Sequence, residues 1–346
     1  MFVPALPDVS DRPDEGVVEP EGPFSVRVGL ASGLTVRVLN SDRYVRPTRG
    51  VRSAAPPASL VGRAEAFMRV FPTMASFSHL TAARLHGLPL SYAMEADERL
   101  HVVRPITQSR IRRADVVGHR AFHPRCITSV EGLAVVDLAD TWVDLGELVA
   151  RGKPVGLDDL IVVGDAVGTR LHGIQPLHDA LARRVRPRGK VTLLEALEEI
   201  RVGSASPRET LARLMLVRCG LPEPALNMPI HGPDGSLLGI GDLVWKKPKV
   251  IGEYQGSEFH DGENDRARDG VRRRGLEADG WIVEEIWNAD MITTTARHDC
   301  VRRFASAVGV EESGLTLASC EPQFFSRHAM ELALVREDRR PSRWNR

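Results

Sequence analysis

The sequence predicts a mixed α/β (α+β) protein: a smaller mixed module followed by a series of helix, hairpin, helix and strand. Three observations carry that prediction. Helix-type and strand-type apolar patterns alternate along the 346 residues. A charged stretch with Pro and Gly, RRVRPRGK at 183–190, interrupts them. Beyond it, a capped helix, two β-rich segments around Lys246-Lys247-Pro248, a charged helix and a last strand follow closely.

Bulk properties exclude several classes. Basic and acidic residues number 46 each, so net charge singles out no partner, although whole-chain balance leaves room for local patches. Cys126, Cys219, Cys300 and Cys320 are far apart in sequence with no C-x-x-C pair, which argues against a structural zinc site and against a disulfide framework. No apolar run approaches the ~18–20 residues that cross a bilayer, so no membrane role is expected. The first residues lack the basic and apolar segments of a secretory signal. A reducing, cytoplasmic setting is the expectation.

Residues 1–23 hold five prolines and six carboxylates and read as a disordered lead. Alternation over 24–53 (FSVRVGL, LTVRVLN) suggests two short strands about a turn at Ser32 and Gly33. The basic run Arg43–Arg52 is either a solvated strand edge or a phosphate-contacting one. Helices are expected through Ala64–Val70 and from Ser78 to Gly87, strands at 100–105 and 118–124, and amphipathic helices at 132–149 and 157–166. His79 and His86, seven apart on one helix face, form a ligand pair or simply pack and cap. A linker near 183–190 and a helix at 191–202 lead into the last domain. After about 310, a short helix and an arginine-rich tail (311–346) end the chain.

The chemistry concentrates between 203 and 310. Ser206 suits a helix N-cap, Pro207 the first helical position, and Glu209 falls three residues after the cap, which alone accounts for Glu209 as a capping-box residue. A hairpin turning between Lys247 and Pro248 sets Asp242 across from Glu253. Directly paired side chains lie ~4.5–5.5 Å apart at Cβ. Gln255, two residues on from Glu253, shares its face. Facing carboxylates repel unless a cation lies between them, and carboxylate oxygens with water and phosphate are the ligands magnesium prefers. The competing account is that one acid points to solvent or meets Lys246, Lys247 or Lys249.

This order resembles the αβββαβ plan of the PD-(D/E)XK nucleases, and its motifs are similar to the very-short-patch-repair-endonuclease-like branch. The residues that match are Ser206 and Glu209, Asp242 and Trp245, Glu253 and Gly256, His260, Asp269 and Arg272, then Leu276, Gly280 and Trp281. The resemblance implies a restriction-endonuclease-like domain hydrolysing DNA phosphodiesters with Mg2+ or Mn2+. It implies Asp242 and Glu253 as metal ligands, Glu209 as their helper, and Gln255 as the residue that places water. Gln255 stands where the superfamily usually has Lys, which it cannot replace as a cation. His260, Arg272 and Arg273 would contact DNA. Otherwise His260 packs near the hairpin and the arginines face solvent.

Residues 24–190 carry SHLTAARLHGLPL and GLAVVDLAD, similar to the AbiEi-type antitoxin group. That resemblance implies a DNA-binding regulator with a possible toxin partner. The alternative to an endonuclease is therefore a non-catalytic, DNA-binding, antitoxin-like transcriptional regulator; an RNA-processing nuclease is a third reading.

Overall fold

The computed structural model describes residues 20–150, 153–255 and 263–323, the side chains of 263–269 and 271 excepted. The fold is mixed α/β, with helices and both parallel and antiparallel strand pairs. Two compact units divide the chain, one from residues 1–77 with 99–135, the other from 78–98 with 136–346. The expected lead at 1–23 lies outside the described residues up to 19, and the tail lies outside them from 324.

In the first unit, β1 (Phe24–Ser25) runs into α1 (Val26–Ala31) and α2 (Val36–Leu39), followed by β2 (Val51–Arg52) and α3 (Leu60–Met68). The two strands expected over 24–53 are thus mostly two short helices. Their caps decide the matter: Ser25 Oγ accepts from Val28 N at 3.2 Å and Thr35 Oγ1 from Val38 N at 3.3 Å. Phe24, Leu34, Leu39 and Tyr44 bury themselves around this turn, with the Phe24 and Tyr44 rings edge-on at 5.4 Å. Of the basic run, Arg52 is buried. It donates to Leu39 O and, at 2.8 Å, to Asn40 Oδ1, so it pins the helix end rather than lining an edge.

β3 (Ser76–Phe77), β4 (Leu100–Pro105), β5 (Val116–Ala121), β6 (Ile127–Val130) and β7 (Leu133–Val136) form a sheet ordered β5-β4-β3-β7-β6. The stretch 132–149, expected to be one helix, is β7 and then a helix. Asp137 breaks it by capping the helix start, its Oδ1 accepting from Asp140 N at 2.7 Å.

The second unit contains α4 (His79–Leu85), α5 (Tyr92–Glu95), α6 (Leu138–Gly146), α7 (Leu157–Arg170), α8 (Gln175–Ala182) and α9 (Lys190–Glu199). These helices enclose Leu80, Trp142, Leu145, Leu160, Leu193 and Ile200, and the Trp142 indole donates to Leu160 O at 2.8 Å. Residues 183–190, read as a linker, form a turn between α8 and α9 that is tied into this unit. Arg184 is buried and donates to Asp140 Oδ1 at 2.7 Å and Asp144 Oδ1 at 2.8 Å.

Next come α10 (Pro207–Arg218), β8 (Ala225–His231), β9 (Leu237–Trp245), β10 (Val250–Gln255), α11 (Glu263–Ala278), β11 (Ile282–Trp287) and α12 (Thr294–Val308). From α10 to β11 the order is αβββαβ. The sheet is ordered β11-β10-β9-β8, with β10 and β11 parallel and the other pairs antiparallel. Strand period assigns its faces. Leu243, Trp245 and Val250 pack with Ala212, Leu216 and Phe304, and on the other face Val244 and Ile251 pack with Leu276 and Trp281. The α12 helix, absent from the sequence-based expectation, supplies Val301 and Phe304 to the first of these cores.

Candidate functional site

The β9–β10 pairing is the expected one. Val250 faces Trp245, Ile251 faces Val244 and Gly252 faces Leu243. One step further in this register places Asp242 with Glu253. There the ladder gives way to a side chain: Tyr254 N donates to Asp242 Oδ2 at 2.9 Å. Of Asp242, Glu253 and Gln255, the last two share the α11-facing side of β10 with Ile251 by strand period, while Asp242 follows a step of β9 where the alternation is irregular, since a Cβ on Gly241 would meet both Val244 and Ile251. All three line one open cavity of about 550 Å³, together with Tyr254, Arg272 and Trp287.

The electrostatics of that cavity are strained. Burial pushes the Asp242 carboxyl up to about 6; the Tyr254 N–H opposes this, and the nearby Glu209 and Glu253 charges add to it. Burial also raises Glu253, against the pull of the Arg272 guanidinium, which forms an ion pair with it. Of the turn lysines, Lys249 is engaged elsewhere, its Nζ donating to Asp279 O at 2.6 Å and pairing with the Asp279 carboxylate at 3.2 Å.

Glu209 caps its helix in modified form. Its backbone N–H donates to Ser206 Oγ at 3.2 Å, the capping half of the motif. Its carboxylate reaches Ala205 N at 2.9 Å rather than the cap residue's own N–H, and accepts from Asn227 Nδ2 at 2.7 Å. It stands close enough to bias Asp242, while the cavity wall among the described residues is formed by other side chains.

Two of the basic residues expected on DNA, Arg272 and Arg273, stand at this cavity with carboxylate partners. Arg272 donates to Glu253 and, at 2.7 Å, to Ile240 O. Arg273 donates to Glu285 Oε1 at 2.9 Å and Glu277 Oε1 at 3.2 Å. Both arginines line the cavity, but each is engaged with carboxylates. His260 lies outside the described residues. In the N-terminal motif, His86 Nε2 meets Val136 O at 2.7 Å, whereas His79 is buried 3.9 Å from Asp144 and 3.8 Å from Glu147. These two histidines thus answer to separate neighbours and do not form the ligand pair.

The Arg272–Glu253 pair and its glycine support went unread in the sequence. A signal was present: LLGIGD puts Gly239 and Gly241 inside a strand, where glycine marks close approach of another group. A Cβ on Gly239 would overlap Arg272 Nε and lie 3.2 Å from its Cδ.

Asp242 and Glu253, carboxylates of neighbouring strands that burial raises, open on one cavity and are of the oxygen-donor type that a hard divalent cation takes. Among known proteins, the chain is similar to uncharacterized protein Rv2248 and uncharacterized protein MT2308, from two strains of Mycobacterium tuberculosis. Each is 29% identical over 257 residues, covering 73% of this chain and 88% of the relative. No protein-family profile matches the chain, and no solved structure matches it. Among the described residues no helix is long and apolar enough to cross a membrane.

Proposed function

We propose that the chain is a metal-dependent DNA endonuclease of PD-(D/E)XK type, with its centre at Asp242 and Glu253. The observation that supports this reading is that Asp242 and Glu253, half-buried carboxylates of neighbouring strands, line one open cavity, with burial raising Asp242 to about 6. Burying two like charges side by side costs stability in the metal-free chain, and a divalent cation offsets that cost. Asp242 and Glu253 would hold Mg2+ or Mn2+, which supplies an activated water and neutralises charge developing at phosphorus. Gln255, beside them, would orient that water through its amide, and Glu209 would add its negative charge from behind, which raises the Asp242 carboxyl and strengthens the site's pull on a cation. Asn227 and Ala205 N hold Glu209 in place for that task.

One observation favours the rival reading, a non-catalytic DNA-binding regulator with a toxin partner: a guanidinium already neutralises Glu253. The experiment that separates them is nicking of supercoiled plasmid by the purified full chain with Mg2+ or Mn2+. Cleavage that stops with chelator and is lost in Asp242→Asn supports the endonuclease. Metal-independent DNA binding without cleavage of duplex DNA, single-stranded DNA or RNA removes it.

A further inference from the structure

The Arg272 side chain crosses the sheet in a slot made for it. It leaves α11, passes over Gly239 where any Cβ would obstruct it, and ends on Ile240 O and Glu253. Its neighbour Arg273 also lines the cavity but is held by two carboxylates, Glu277 and Glu285, neither of them a proposed ligand. Gln255 carries no charge, so Arg272 is the cation whose partner is the proposed centre itself. Resting on the metal reading above, we propose that Arg272 and a divalent ion compete for Glu253. Ion entry then hands the guanidinium to a DNA phosphate.

The chemistry requires such a choice. A carboxylate oxygen committed to a short, charge-assisted bond with a guanidinium is a poor ligand for a small, hard cation. A 2+ ion at Asp242 and Glu253 reverses the local charge that holds Arg272 there, and a planar guanidinium fits two phosphate oxygens as well as it fits a carboxylate. The exchange couples metal occupancy to the grip on the backbone. DNA whose phosphate enters the cavity would therefore be held more firmly once the ion is in place.

The test is calorimetric titration of the full chain with MnCl2 alone, for the wild type, Arg272→Met, Gly239→Ala and Arg273→Met. Competition predicts that Arg272→Met binds manganese at least about fivefold tighter, the low end of ordinary coupling between sites. Gly239→Ala keeps the charge but evicts the side chain from its slot, and it should tighten binding in the same direction. Arg273→Met removes an equal charge from the same wall and frees Glu285, which stands opposite Glu253, so it should tighten binding too, by less than Arg272→Met does. Fluorescence anisotropy with a phosphorothioate duplex gives the second readout: manganese should raise the affinity of the wild type and fail to do so in Arg272→Met. If Arg272→Met proves unfolded in thermal melts, Gly239→Ala and the wild-type anisotropy decide alone. Manganese binding that is equal or weaker in Arg272→Met and Gly239→Ala would reduce Arg272 to a brace for Glu253 and leave the metal centre standing. No manganese binding by any of the four proteins would remove the centre and the competition together.

Discussion

The second unit encloses carboxylates among its helices and half-buries others between β9 and β10, and it treats them differently. Among the helices, Asp140 and Asp144 share the Arg184 guanidinium, with Arg183 adding a bond to Asp140 at 3.1 Å. Asp165 on α7 accepts from Arg213 at 3.1 Å, Thr210 at 2.8 Å and Arg201 N at 2.7 Å. Where the β9–β10 pairing ends, by contrast, Asp242 accepts one backbone N–H and Glu253 one arginine among the described residues, and both line an open cavity. Asp140 and Asp165, with several donors each, are held as part of the architecture. Asp242 and Glu253, with fewer donors among the described residues, leave their carboxyls open to the cavity. The contrast lies in the number and geometry of partners, because burial raises the pKa of Asp165 and Asp242 alike.

Truncating a partner should separate the two regions most sharply. Arg184→Met takes the guanidinium from two fully buried aspartates, and breaking such a cluster costs about 3–5 kcal/mol. Urea denaturation of this variant should show that loss. Asp242→Asn should leave the denaturation midpoint where it was or raise it. Equal losses at both positions would make the hairpin acids as structural as the helical ones.

The same Asp242→Asn change should carry the functional cost that Arg184→Met does not. The asparagine retains an oxygen for Tyr254 N but gives up the charge a hard cation needs. Manganese affinity should fall at least ~100-fold, at the upper end of what altering a metal site's surroundings does. DNA affinity should hold or rise, since one phosphate-repelling charge is gone. Calorimetry and anisotropy measure the two separately. A variant with intact manganese binding would move the centre elsewhere.

A smaller gain is expected from Gln255→Lys. Position 255 ends β10 beside Trp287 and faces the cavity, so a lysine there adds a cation where negative charge develops on phosphate. Single-turnover cleavage of duplex DNA with Mn2+ should rise by about tenfold, below the effect of a fully preorganised donor. A fall in rate would mean that Arg272 already fills the cationic role and that the added charge displaces it or the ion.

The hairpin was legible in the sequence because its geometry is arithmetic. Once the turn lies between Lys247 and Pro248, every pair from Trp245 and Val250 onward follows. The helix cap at Ser206 was legible for a similar reason, being a local bond between residues three apart. What stayed hidden depends on long-range partners or on competition between local preferences. VRV repeats suit a strand or a short helix, and Ser25 and Thr35 tip them to helix through caps that alternation does not register. Arg184 reads as part of a charged linker until Asp140 and Asp144, some forty residues away, are brought to it. Arg272 likewise reads as a surface helix residue until the strand glycine that admits it is seen beneath.

The smallest predicted effect tests the origin of the contrast. Asp242 ionises near 6 in the folded chain, against about 4 for an ordinary aspartate. A raised carboxyl pKa means that the folded state holds the proton more tightly than the unfolded state. Its stabilising contribution is therefore complete below about pH 4 and is lost as pH rises through about 6. Without added metal, the wild type should consequently fall behind Asp242→Asn as pH increases. The gap should open between about pH 4 and 6 and level off near pH 7. Partial solvent access discounts the size to about 1 kcal/mol, a shift of a few degrees at most in thermal melts. Glu253→Gln should follow the same sign, since burial raises that carboxyl too. A wild-type-to-Asn difference constant from pH 4 to 8 would show that desolvation does not strain Asp242. The hairpin acids would then differ from the helical ones in position alone.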